Sequence, residues 1–290
     1  MAVTKFETVD GYGMLDVAGA PLAVGPVRSA KKVLQRTTGD LIRHATYVLA
    51  VHGIDGTGAA AALNHDRSAA DPAEFETFAA ELETWAASVS FRPVNGIGLS
   101  PEEIGPALHA SAAAPAQLLA ASAVTAAGAI GRATVASDGD EADLLAELAA
   151  QQIEATVTDD LAAALTSEAD AVFVRSGAGA LHHEALADCN VSRIIGLQPL
   201  TTTARGLAFA GRNGSVIVPD FVSAGGLTLA ASFDSVTADE ALDRVRSDTA
   251  DVAGALAAEG TNTFVAACER AEAHLRTWTD ELPFGRPLAP

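Results

Sequence analysis

RATVAS (132–137), IEATVT (153–158), ADAVFVRS (169–176), SRIIGLQ (192–198) and GSVIVPD (214–220) are the runs that decide the fold. Each is short, rich in Val, Ile or Ala, and bounded by Asp, Gly or Ser, the pattern of a buried strand. Between the first three lie DGDEADLLAELAAQQ (138–152) and DDLAAALTS (159–167), whose leucines and alanines follow helical spacing. Strands alternating with helices predict an α/β chain with a mostly parallel, doubly wound sheet over roughly residues 112–225.

Upstream of that block, PAQLLAASAVTAAGAI (115–130) reads as an alanine-rich helix ending at Gly131. NGIGLSPEEIG (95–105) is a strand end or loop followed by a helix capped by Ser100, with Pro101 first and Glu103 third. Asp71-Pro72 opens another helix, with Phe75, Phe78, Ala79, Leu82, Trp85 and Ala86 on one face. LIRHATYVLAVHGI (41–54) carries Leu41, Ile42, Ala45, Val48 and Leu49 at helical spacing, with Asp40 or Thr38 as cap and a stop at Gly53. GIDGTGAAAALNHD (53–66) is expected to be a Gly-rich loop, and residues 1–28 one or two strands with turns. Downstream, residues 239–282 read as helix, broken at Gly260.

Composition narrows the function. The chain has 290 residues, 49% of them hydrophobic, which is enough for real cores and too apolar for disorder. Eighteen basic against 37 acidic side chains give a net charge of −19, which argues against nucleic acid or an anionic membrane as partner. No uninterrupted apolar run reaches membrane-spanning length, and the start MAVTKFETVDGYG does not resemble a secretion signal, so a cytoplasmic protein is expected. Cys189 and Cys268 form no CxxC and read as small buried hydrophobes. Only three lysines occur, Lys5, Lys31 and Lys32, so no ε-amine is available after residue 32.

Four stretches together resemble a known family. GPVRSAKKVLQRTTGDLIRHATYVLAVHGIDGTGAAAALNHD (25–66), VNGIGLSPEEIG (94–105), VPDFVSAGGLTLAASF (218–233) and EGTNTFVAACERAEAHL (259–275) are similar, in order, to motifs of the glutamate/leucine/phenylalanine/valine dehydrogenase family, closest to its leucine/phenylalanine branch. The resemblance implies a substrate- or assembly-type α/β domain of residues 1–111 plus 232–290, and a shortened Rossmann-like domain of residues 112–231. It implies NAD(P)-dependent oxidative deamination of an L-amino acid. That chemistry needs a lysine to polarise the carbonyl, an aspartate to move a proton, a lysine for the substrate carboxylate, and a G-x-G-x-x-G turn for the dinucleotide.

Position by position, this chain lacks them. Val48 stands at the carboxylate-binding lysine, Ala60 at the catalytic lysine and Gly96 at the catalytic aspartate. The dinucleotide turn aligns with Ser137, Asp138, Gly139, Asp140, Glu141 and Ala142, which retains one glycine of three and sets carboxylates where a pyrophosphate would lie. The asparagine before Ala224-Gly225-Gly226 is also absent. The resemblance therefore implies a member that has lost catalysis, needs no cofactor, and acts as a binding, regulatory or structural paralogue. As partners it implies a homo-oligomer, or a hetero-oligomer with a related dehydrogenase. The other reading is an active oxidoreductase of amino-acid metabolism that uses NAD or NADP at an altered site.

His52, Asp55, Gly58, Asn64, Gly225 and Gly226 are the residues a residual pocket would draw on. His52 and Asp55 serve either acid–base chemistry or structure, and Gly56 and Gly58 either line a pocket or keep an inherited turn. His182-His183-Glu184 is read as a solvated helix end and not as metal ligands, because adjacent helical residues diverge by about 100°. Gly177-Ala178-Gly179 is a strand-to-helix turn, and a lone G-x-G is weak evidence for phosphate binding.

Overall fold

The computed structural model describes residues 1–66, 72–105, 108–109, 111–234 and 236–290. It contains two five-stranded sheets. The first is built from β1 (Ala2–Lys5), β2 (Gly11–Leu15), β3 (Ala23–Ala30), β4 (Thr57–Asn64) and β5 (Phe91–Ile97), in the order β1-β2-β4-β3-β5. β1, β2 and β4 run antiparallel in turn, whereas β3 is parallel to both β4 and β5. Helix α1 (Gln35–Val51) covers one face and α2 (Pro72–Val89) the other.

β4 corrects the expected Gly-rich loop. Alanine favours helix over strand, yet Thr57 to Leu63 are all buried, and the strand they form pairs with β2 on one side and β3 on the other. Tertiary packing overrides propensity here. An added Cβ at Gly58 would lie 1.6 Å from the Ile42 carbonyl oxygen, so α1 sits directly on the backbone of β4. The chain begins with three strands where one or two were expected. On the opposite face Phe78, Leu82 and Trp85 of α2 are buried, with Trp85 lying over Gly13. The expected opening of α2 at Asp71 lies outside the described residues.

α1 starts earlier than expected, at Gln35, with Leu34 as its cap residue and no side-chain cap. Thr38 and Asp40 are inside it. Thr38 Oγ1 donates back to the Leu34 carbonyl at 3.1 Å and accepts from Arg28 Nη1 at 2.7 Å, while Asp40 pairs with Arg43. A helix α3 (Pro101–Ile104) carries the predicted capping box: the Ser100 N–H donates to Glu103 at 2.7 Å and the Glu103 N–H to Ser100 Oγ at 3.4 Å.

The second sheet is entirely parallel. It comprises β6 (Arg132–Ala136), β7 (Glu154–Thr158), β8 (Ala171–Val174), β9 (Arg193–Gly196) and β10 (Val216–Val218), ordered β10-β9-β8-β6-β7. Every run quoted at the outset forms one of these strands. Helices α4 (Pro115–Ala127), α5 (Ala142–Ala150), the short α6 (Leu161–Leu165) and α7 (Ala204–Asn213) accompany them. β8 is fully buried, which is why AVFV reads as an unbroken apolar run.

After β10 come α8 (Asp220–Ser223), α9 (Gly226–Ala230), α10 (Ala238–Leu256) and α11 (Thr263–Leu275). A 3₁₀ turn at Ala257–Asn262, with Gly260 at φ 55°, separates the last two, as the glycine predicts. α10 packs on α4 and α11 on α1. Tyr47, Val48, Leu118, Phe173, Phe221 and Phe264 therefore meet in one core that joins α1 to the second sheet and its helices. Cys268 is buried there, and burial pushes its thiol up to about 12; Cys189 is only half-buried. His182, His183 and Glu184 occupy a turn and not the end of a helix. Among the described residues, no helix is long and apolar enough to cross a membrane.

Candidate functional site

The order β7-β6-β8-β9-β10 places a topological switch point between β6 and β8, where connections leave in opposite directions. Open α/β sheets bind ligands in the crevice beyond the carboxyl ends of such strands. Here that crevice opens between the turn after β6 and Arg175 after β8, and the first sheet closes it from the other side. α1 contributes Leu41, His44 and Ala45, at i, i+3 and i+4 of one face, and β5 contributes Val94, Asn95 and Ile97. The cleft holds about 490 Å³. A larger hollow of about 730 Å³, around Gly128, Asp170 and Arg193, lies at the amino ends of the strands, away from the switch point. The switch-point topology favours the cleft.

The turn that would meet a pyrophosphate is occupied by its own side chains. The Gly139 N–H donates to Ser137 Oγ at 3.0 Å, the Ala142 N–H to Asp140 Oδ1 at 3.0 Å, and Ser137 Oγ to Glu141 Oε1 at 2.7 Å. Glu141 is buried, and Arg175 grips it through Nε and, at 2.8 Å, Nη2. This corrects one expectation: Glu141 is not a bare charge facing a ligand, because the guanidinium neutralises it. Asp138 and Asp140 remain exposed at the amino end of α5. With these donors taken and two carboxylates at the mouth, the turn does not fit a dinucleotide pyrophosphate.

The three positions that the resemblance assigns to lysine, lysine and aspartate lie as follows. Ala60 is fully buried in an apolar cluster with Tyr12, Met14 and Ile42. Val48 is fully buried, its methyl groups against Gly225. Gly96 is exposed on β5, but a Cβ there would come within 2.3 Å of the Leu99 carbonyl oxygen. Its neighbour Asn95 is the residue of that pair lining the cleft.

The six residues named for a residual pocket are not brought together. His52 caps α1, with Nδ1 2.7 Å from the Val48 carbonyl oxygen. Asp55 pairs with His274 of α11 at 3.1 Å, half in solvent. Asn64, at the far end of β4, accepts from the Val33 N–H at 2.7 Å. Gly58, Gly225 and Gly226 are close-packing positions, the last with room for no Cβ beside the Leu118 carbonyl. What lines the cleft instead is His44, Asn95 and Arg175, from three separate elements. A lone histidine on the apolar stripe of LIRHATYVLAV was the one signal in the sequence that could have drawn attention to position 44.

Burial of His52 pushes its pKa below the ordinary 6.5, and the Val48 hydrogen bond only partly opposes this. Above 6.5 folded and unfolded rings are both neutral. As pH falls below 6.5 the unfolded chain takes up a proton that the folded one resists, so stability declines. Urea denaturation between pH 7.5 and 5.5 should show a shallower decline for His52→Gln than for the unsubstituted chain; identical slopes would refute the assignment.

Architecture and cleft together define a two-sheet α/β protein, with a doubly wound parallel sheet and a second, mixed sheet facing it across the switch point. The particular fold is that of the amino-acid dehydrogenases. L-tryptophan dehydrogenase from Nostoc punctiforme matches with a TM-score of 0.70 at 13% identity, over 95% of each chain. The hetero-hexameric glutamate dehydrogenase from Thermus thermophilus, in its Leu-bound form, matches at 0.69 and 17% identity, over 94% of this chain and 86% of that one. Glutamate dehydrogenase from Peptoniphilus asaccharolyticus matches at 0.70 and 12%, over 92% and 86%. No family model and no curated sequence matches the chain.

Proposed function

We propose that this chain is an amino-acid dehydrogenase-fold protein that has lost the dehydrogenase reaction and acts by binding, with the cleft as its small-molecule site. The observation that carries this reading is the chemistry of the lining. His44 and Arg175 are the basic side chains of the described cleft, and no lysine is among its lining residues. Lys31 pairs with Asp66, and Lys5 and Lys32 border a different hollow on the first sheet. An amine of lowered pKa, which amino-acid deamination draws on, has no source here. The packing around Ala60 and Val48 supports the same conclusion. So does the absent fit for a pyrophosphate, which makes a cofactor-free protein our expectation. Within this reading residues 1–111 and 232–290 form one domain and 112–231 the other. The protein associates in the cytoplasm, with itself or with a related dehydrogenase.

Dinucleotide binding tests the proposal. Asp138 and Asp140 oppose a bound pyrophosphate by on the order of 1–4 kcal/mol per close pair. Equilibrium dialysis with NAD(H) and NADP(H) should detect no binding tighter than millimolar. Micromolar affinity would overturn the reading of the turn.

A further inference from the structure

We infer that His44, held by Asp220, is a hydroxyl-recognition subsite on the wall of the cleft, suited to a small neutral molecule with an O–H group on an apolar body. The inference rests on the reading of the cleft as a binding site and names the chemistry it would select. His44 is 4% exposed and Asp220 3%. His44 Nε2 lies 3.5 Å from Asp220 Oδ1, and neither atom has a hydrogen-bond partner among the described residues. The carboxylate is fixed from behind, because its Oδ2 accepts the Thr201 N–H at 2.8 Å. A ring nitrogen facing a carboxylate oxygen in an enclosed site carries the proton, since two facing lone pairs would repel with no water between them. In the neutral ring Asp220 therefore selects the Nε2–H tautomer and leaves the lone pair on Nδ1.

Nδ1 is the ring nitrogen that is not enclosed: it has no hydrogen bond among the described residues, yet it is absent from the buried unpaired atoms. The lining of the cleft beside His44 includes the apolar Leu41, Ala45, Leu119 and Leu227 as well as Asn95, Asp140 and Arg175. An ammonium would give up its hydration for one neutral acceptor, and a carboxylate would turn lone pairs toward a lone pair. A hydroxyl donates into Nδ1 and loses little. The hydrogen bond should favour such a ligand about five- to tenfold over its hydrocarbon isostere.

The test uses the whole chain with ¹⁵N-labelled histidine, phenol as probe and toluene as the isostere without a donor. The free protein should show His44 as the Nε2–H tautomer. Phenol should bind about five- to tenfold more tightly than toluene and shift the His44 Nδ1 resonance, which toluene leaves in place. His44→Leu should bind the two alike. Equal affinities in the unsubstituted chain, or a preference that survives in His44→Leu, would overturn the subsite while leaving the cleft as a binding site. An Nδ1–H tautomer, or a ring protonated on both nitrogens, overturns it without any variant, should His44→Leu fail to fold. If neither probe binds, the cleft reading falls and the subsite with it.

Discussion

Ala60→Lys is expected to cost the fold before it can contribute chemistry. Position 60 is fully buried among Tyr12, Met14 and Ile42, on a strand paired on both sides. A lysine there adds three methylenes and an amine to a filled space. Overpacking alone costs about 1–3 kcal/mol, and burying an unpaired amine, even one that sheds its proton, adds several more. Against a typical total stability of about 5–15 kcal/mol, a loss of roughly 4 kcal/mol or more is expected, read as a melting temperature lower by about 10 °C or as failure to fold. Restored turnover of any L-amino acid in this variant, with its melting point unchanged, would show that the site was only one side chain short of catalysis.

Gly58→Ala and Gly226→Ala should each destabilise by about 3 kcal/mol or more, although each adds a single methyl group. Their added Cβ atoms would lie 1.6 Å from the Ile42 carbonyl oxygen and 2.1 Å from that of Leu118. Both obstacles are helix backbone and cannot rotate away, so α1 must lift from β4, or α4 from α9. Gly254, inside α10 with nothing within 4 Å of its added Cβ, is the control. Gly254→Ala should stabilise by about 0.5–1 kcal/mol through helix propensity. Urea melts of the three variants check the contrast. A neutral Gly58→Ala would mean that this glycine is kept for a ligand and not for packing.

The second sheet was legible because its central strands β8 and β9 are buried and read as near-continuous apolar runs. Ser100 and Gly260 were legible for a local reason: capping and chain breaking depend on neighbours in sequence. β4 was not, because TGAAAALN carries no alternation and, after Thr57, no β-branched side chain. Only the packing of α1 on Gly58 and the two flanking strands makes it a strand. The start of α1 was misplaced because Thr38, a good cap by type, is used for a tertiary bond to Arg28.

The candidate site was legible chiefly by what it lacks. The substitutions at 48, 60 and 96 stand in the sequence; the positive content of the cleft does not. His44 gains meaning only from Asp220, which lies 176 residues further along the chain, and Glu141 loses its free charge only through Arg175. Such pairings come from three-dimensional closure, and a sequence scan finds each member as an isolated residue.

The most direct test of the central claim is an initial-rate measurement of NAD and NADP reduction by the purified chain with a panel of L-amino acids. General acid–base help and electrostatic polarisation are each worth about 10²–10⁴-fold in rate, and groups that act as a unit do not contribute additively. With lysine absent from the described cleft lining and Gly96 unable to bear a carboxylate in place, turnover should be indistinguishable from the protein-free background. Robust turnover that is abolished by His44→Leu or by substitution of Arg175 would contradict the account, and would show that the same cleft catalyses with other residues.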